Sequence, residues 1–211
     1  MNKNDFLNGF YFILLAVSIS LAQGELSTTF HPATDVYDGW RLGSQAYTFN
    51  RYTFFEAVDK VASLGLSWIE AYPGQSLSKE LPDDKLIHTM PQDQRDAVKK
   101  KLRESGIRLI NYGVVSLPND EAECRKVFDF ARDMGIETIV SEPPEEAFDL
   151  IDKLCQEYQI KVGIHNHPKP SHYWDPDIVL RVLQGRSEWL GSTSDTGHWM
   201  RSGVNPLEAL K

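Results

Sequence analysis

The chain has 211 residues, 41% hydrophobic and 25% charged, with 22 Lys and Arg against 30 Asp and Glu and a net charge of −8. This composition belongs to a globular protein and excludes disordered and collagen-like chains. The acidic balance argues against nucleic-acid binding, which needs clustered cations. The one dense basic run, Lys99, Lys100, Lys101 and Arg103, reads as the solvated face of a helix.

Residues 1–22 read MNKNDFLNGFYFILLAVSISLA. A polar start carrying Lys3 precedes an apolar run over 10–22. The run ends Ser20-Leu21-Ala22, with small residues two apart, as a secretory signal requires. It is too short to span a bilayer comfortably. The expected organisation is a signal peptide at 1–22, a polar lead-in at 23–39 and one domain at 40–211. The mature protein is then periplasmic or secreted, with no membrane span left after cleavage. Cys124 and Cys155 lie in helical patterns and read as small core residues, because two cysteines make no disulfide framework.

From residue 40 onward a short apolar stretch, a polar loop and an amphipathic helix alternate. Strands are expected at 40–47, 66–71, 107–112, 136–140, 160–164 and 189–194. The first helix opens at Thr53, which forms a capping box with Glu56. Phe54, Val58, Val61 and Leu64 share its apolar face, and Gly65 permits its left-handed end. The second helix carries Ala97, Val98 and Leu102 and closes at Gly106. The third starts near Asn119 or Asp120, buries Val127, Phe130, Ala131 and Met134, and stops at Gly135. The fourth follows Pro143-Pro144 and buries Ala147, Leu150, Ile151, Leu154 and Tyr158. The fifth opens at Asp175-Pro176 and closes at Gly185.

Strands separated by helices at this spacing pair in parallel through right-handed crossovers. An open doubly wound sheet or a (β/α)₈ TIM barrel would fit. No G-x-G-x-x-G follows the first strand, where Ser44-Gln45-Ala46-Tyr47 stands instead, and this favours the α/β barrel. A further helix starts at Asn205-Pro206-Leu207-Glu208, and the sequence stops at Lys211. About six of eight βα units are present, so the chain reads as a C-terminally truncated barrel. The other reading is a natural six-unit open sheet.

Barrel active sites gather at the C-terminal ends of the strands. Glu70, Asn111, Glu142, His165-Asn166-His167 and Asp195-Thr196-Gly197-His198-Trp199 all fall there. His165 and His167 are two apart and point to one side. Imidazoles with the Asp195 carboxylate suit a divalent metal. Trp199 and Tyr112 offer rings that either stack on a sugar or pack inside. His31, His88 and His172 read as residues of solvated loops.

The segments GSQAYTF at 43–49, IEAYPGQ at 69–75, NYGVV at 111–115, VSEPPEE at 140–146, IHNHPKPSHYW at 164–174 and DTGHWMRSGVNP at 195–206 resemble the xylose isomerase-like barrel superfamily. The likeness is to its branch of sugar phosphate isomerases and epimerases. It implies a divalent metal (Mn, Co, Zn or Mg) bound by His165 and Asp195, with Glu142 and His198 catalytic and Glu70, Asn111, His167 and Trp199 binding a sugar. His165 departs from the family, which usually places Glu there; the family's strand-seven His and strand-eight Glu would lie beyond Lys211.

The implied reaction is isomerisation or epimerisation by proton abstraction next to a carbonyl, through an enediolate. An exported member is expected to act on non-phosphorylated sugars. The alternatives are a keto-sugar lyase on the same barrel and a non-catalytic carbohydrate-binding fragment. An amidohydrolase is disfavoured because His-x-His there ends the first strand. An apurinic-site endonuclease is disfavoured by the acidic balance. The sequence does not specify the oligomeric state.

Overall fold

The computed structural model describes residues 40–211. The signal peptide and lead-in expected at 1–39, and His31 with them, lie outside the described residues. In chain order the elements are β1 (Gly43–Gln45), α1 (Phe54–Ser63), β2 (Trp68–Ala71), β3 (Gln75–Ser76), β4 (Lys85–Leu86), α2 (Gln92–Glu104), β5 (Arg108–Tyr112) and α3 (Glu121–Met134). They continue with β6 (Thr138–Ser141), α4 (Phe148–Tyr158), β7 (Lys161–Ile164), α5 (Pro176–Leu183), β8 (Leu190–Ser192), α6 (Thr196–Arg201) and α7 (Pro206–Ala209). Among the described residues no helix is long and apolar enough to cross a membrane.

Six strands form one parallel sheet in the order β1-β2-β5-β6-β7-β8. Apart from the small β3-β4 hairpin, each new strand is added on the same side of the last. Right-handed crossovers repeated in one direction keep the connecting helices on one face. A doubly wound sheet instead reverses its strand order at a switch point. Residues 40–211 therefore form an arc of TIM-barrel architecture, with helices outside and a polar inner face. Among the described residues β1 and β8 are not paired with each other.

Local chemistry explains the helix starts. Thr53 Oγ1 accepts from the Glu56 N–H, and the Glu56 carboxylate accepts from the Thr53 N–H at 3.0 Å, completing the capping box. Asp120, Asp175 and Asn205 cap α3, α5 and α7 with their side-chain oxygens. Gly135 ends α3 at φ 71°, which only a residue without Cβ adopts cheaply. Helix α4 ends without a glycine, at the left-handed Gln159.

The core lies between the helices and the outer sheet face. Phe54, Val58, Val61, Ile69, Leu109, Tyr112, Val127, Phe130, Ile139, Ile151, Leu154 and Val162 are buried there, each such side chain contributing about 1.5–3 kcal/mol. Cys124 and Cys155 are buried in the same layer. Tyr112 packs against Phe130 with ring centroids 5.0 Å apart and is fully buried, so it offers no face to a sugar.

Other placements differ from the sequence pattern. Leu64 is 64% exposed, because it is the C-cap of α1 and the chain turns away there. The hairpin β3-β4 occupies what reads as a plain loop, its strands being too short to show alternation. Lys99 and Lys101 reach neighbouring helices, pairing with Asp133 and Asp59 at 2.5 Å each. His88 is half-buried. Gly113 follows β5 where a Cβ would stand 2.2 Å from the Val140 carbonyl oxygen, so the close approach of the β5 and β6 ends depends on it.

Candidate functional site

The inner face holds two polar groups. The first is a row across β1, β2 and β5. Register sets Gln45 beside Glu70. A bulge between Ile69 and Glu70 then brings Asn111, and not Ile110, opposite Glu70. Gln45 Nε2 donates to Glu70 Oε1 at 2.8 Å, and Asn111 Nδ2 donates to Oε2 at 3.3 Å. Burial pushes the Glu70 carboxyl above its ordinary range, against the pull of these two donors. The row borders a cavity of about 220 Å³. At its N-terminal end Arg41 and Arg108 each stack on Trp68 at 5.0 Å and pair with Glu137 at 2.7 and 3.6 Å.

The second group lies at the C-terminal ends of β6, β7 and β8. His165 and His167 follow β7, their rings 4.5 Å apart. His198 comes from α6, 5.6 Å from His165 and 5.2 Å from His167 between ring centroids. Each imidazole offers a nitrogen, and the three atoms lie within 4.8 Å of one another. Asn166, between the two histidines, is 1% exposed. Its Nδ2 donates to the Asp195 carbonyl at 2.9 Å, and its Oδ1 accepts from the Asp195 N–H at 2.8 Å.

Each imidazole has its own support. His165 Nδ1 lies 3.1 Å from Thr193 Oγ1. His167 Nδ1 contacts Glu142 Oε1, which also accepts the His167 N–H at 3.1 Å, while Glu142 Oε2 accepts from Ser171 Oγ at 2.8 Å. His198 Nδ1 is 3.0 Å from Arg201 Nη1. Burial, helped by neighbouring His167, holds the His165 imidazole down to about 4. Burial also lowers His198. His165 is thus neutral near pH 7, the form that binds a metal.

The residues singled out from sequence fall as follows. His165, His167 and His198 converge. Asp195 caps α6, its Oδ1 accepting from the His198 N–H at 2.8 Å, with Oδ2 3.4 Å from His198 Nε2. Its carboxylate stands beside the imidazoles and not among the three mutually close donors. Glu142 is occupied with His167 and Ser171. Glu70 and Asn111 belong to the other row. Trp199 is 4% exposed and has no open face for stacking, because α6 turns its ring inward. His172 is exposed and bonds Glu145 at 2.7 Å.

The sequence pattern alone assigned no role to Asn166, Thr193, Ser171, Gln45 and Arg201. Four of these lie inside the segments that carry the resemblance, and the polar side chains of Gln45, Asn166 and Ser171 close to strand ends were the available signal. Nitrogen donors with a carboxylate alongside fit a borderline divalent cation such as Zn or Co, and less closely the harder Mn.

No protein-family profile and no curated protein matches the chain. Solved structures do. An uncharacterised protein from Parabacteroides distasonis is 33% identical with a TM-score of 0.71, over 82% of this chain and 70% of that one. A D-tagatose 3-epimerase-like protein is 14% identical with a TM-score of 0.58, over 79% of this chain and 69% of that one. The 3-keto-D-glucoside 4-epimerase YcjR from E. coli is 11% identical with a TM-score of 0.58, over 81% and 73%. The last two carry the TIM-barrel fold alone, and the first carries the family: this chain belongs to one family with the uncharacterised Parabacteroides protein.

Proposed function

We propose that the protein is a divalent-metal-dependent sugar isomerase or epimerase that moves a proton on the carbon next to a carbonyl. One observation carries the reading: the mutually close nitrogens of His165, His167 and His198, with Asp195 beside them, at the strand ends of this barrel. His165, His167 and Asp195 are the residues that would hold the cation, with His198 beside them. A cation bound there supplies Lewis acidity to a sugar carbonyl and its neighbouring hydroxyl. The sugar epimerases among the structural neighbours support the reaction class.

The chain's own residues supply the rest. Glu142 fixes the His167 ring by taking its Nδ1 proton in a hydrogen bond, an arrangement that orients metal-binding histidines. His198 on α6 and Glu70 on β2 are the groups able to hold or move a proton. Glu70 suits a base because its raised carboxyl lies nearer neutrality. Gln45 and Asn111 hold its two oxygens in place. The signal-like residues 1–22 support an exported protein whose substrates are non-phosphorylated keto-sugars or keto-glycosides.

The test is incubation of the purified protein with Mn, Co or Zn and candidate keto-sugars in deuterated water. Proton NMR should show deuterium entering at the carbon next to the carbonyl, and His165→Ala should abolish it. No exchange with any metal and sugar would reject the reading. Release of a substituent from a keto-glycoside would assign the same deprotonation to a lyase.

A further inference from the structure

The hydrogen bonds around the three imidazoles dictate where each carries its proton. The Thr193 hydroxyl donates to the Ile164 carbonyl at 3.2 Å. With its single proton on that carbonyl, the hydroxyl is left as an acceptor at 3.1 Å, to which His165 Nδ1 donates. His165 then holds its proton on Nδ1 and a free lone pair on Nε2. His167 faces a carboxylate, which only accepts, and Glu142 already takes the His167 N–H and the Ser171 hydroxyl. His167 likewise donates from Nδ1 and keeps a lone pair on Nε2.

His198 is the opposite case. Its Nδ1 lies 3.0 Å from Arg201 Nη1. A guanidinium has donors and no acceptor, so Nδ1 must present its lone pair. A neutral imidazole carries one proton, which is left to Nε2. Asp195 Oδ2 lies 3.4 Å from that nitrogen, too far to take the proton in a good hydrogen bond. The motif that runs from Asp195 to Arg201 builds this in one short helix. Asp195 caps α6, His198 takes its N–H bond to that cap, and Arg201 stands one turn later on the same side.

We propose that Arg201 is a positioning residue that keeps the His198 proton on Nε2, so that His198 serves as a hydrogen-bond donor to a substrate oxygen and not as a third nitrogen ligand. The cation is then left to His165 Nε2, His167 Nε2 and the Asp195 carboxylate, two nitrogens and an anionic oxygen. A proton donor stands next to them without competing for the metal. This assignment rests on the metal reading of the site, but the tautomers themselves belong to the metal-free protein.

Protein with 15N-labelled histidine separates the two. Long-range proton–nitrogen correlation spectra at about pH 8.5, above the ordinary imidazole range, report which nitrogen of each ring is protonated. The metal-free wild type should show Nδ1–H for His165 and His167 and Nε2–H for His198. Arg201→Met should turn His198 into a mixture of tautomers. Arg201→Lys, which also only donates, should restore Nε2–H. Unchanged His165 and His167 signals in both variants report an intact fold, since the Arg201 side chain is exposed. His198 protonated on Nδ1 in the wild type, or unmoved in Arg201→Met, overturns the proposal. On adding zinc, the Nε2 signals of His165 and His167 should shift while His198 keeps its Nε2 proton. Loss of that proton on zinc binding also overturns it. No shift on any imidazole removes the cation reading, and the metal-free spectrum still decides the tautomer.

Discussion

Removing the Glu142 carboxylate is expected to loosen the proposed metal site and the fold together. Glu142 accepts the His167 N–H at 3.1 Å, the His167 Nδ1–H, and the Ser171 hydroxyl at 2.8 Å. Hydrogen bonds to a charged group contribute about 1.5–3 kcal/mol each. The Glu142 side chain is 22% exposed, so water replaces part of what Glu142→Ala removes, and a net loss of about 3 kcal/mol follows. For a domain of this length that lowers Tm by roughly 6–12 °C. The His167 ring also loses the group that fixes its orientation, which should weaken metal binding by about 10–100-fold. Thermal unfolding in excess chelator reads the first effect, and zinc competition against a chromophoric chelator reads the second. Glu142→Gln should lie between, because its amide oxygen still accepts the ring proton while its NH₂ faces a hydroxyl that can accept. A Glu142→Ala protein that binds zinc as tightly as wild type and melts at the same temperature would refute the reasoning.

Glu70→Gln tests the row on β1, β2 and β5. Burial raises the folded Glu70 carboxyl, so the folded state binds that proton more tightly than the unfolded chain does. The resulting stability is fully present below the ordinary carboxylate range and is lost as pH rises through the folded value. The stability of wild type relative to Glu70→Gln should therefore fall from acid to neutral pH in denaturant titrations, and a constant difference would contradict the burial effect. Gly113→Ala places a Cβ 2.2 Å from the Val140 carbonyl oxygen and should cost about 3 kcal/mol or more, read as a lowered urea midpoint. Zinc at about 100 times its dissociation constant should add about 2.7 kcal/mol, reversed by chelator and absent in His165→Ala.

Much of the frame is written locally in the chain. The capping box of Thr53 and Glu56, the caps at Asp120, Asp175 and Asn205, and the glycine after Met134 need only near neighbours, so they are legible as short patterns. The His165 and His167 pair is legible from its spacing of two at a strand end, although both residues lie just past β7. What the pattern does not contain is pairing across strands. Whether Asn111 or Ile110 meets Glu70 depends on a bulge with no composition signal. Glu142 and His167 are separated by a whole helix, and their contact exists only once β6 and β7 lie in register. Trp199 sits beside His198 in sequence, yet the rotation of a six-residue helix sends its ring inward.

Asn166 gives these facts a mechanical meaning. Its amide donates to and accepts from the backbone of Asp195, imitating a rung of peptide pairing beyond the last true one. The two staves are thus riveted together just where both turn into their loops. Any strain that shifts one histidine-bearing end must drag the aspartate-bearing end with it. A side chain hidden from solvent thereby sets the tolerance of the whole constellation.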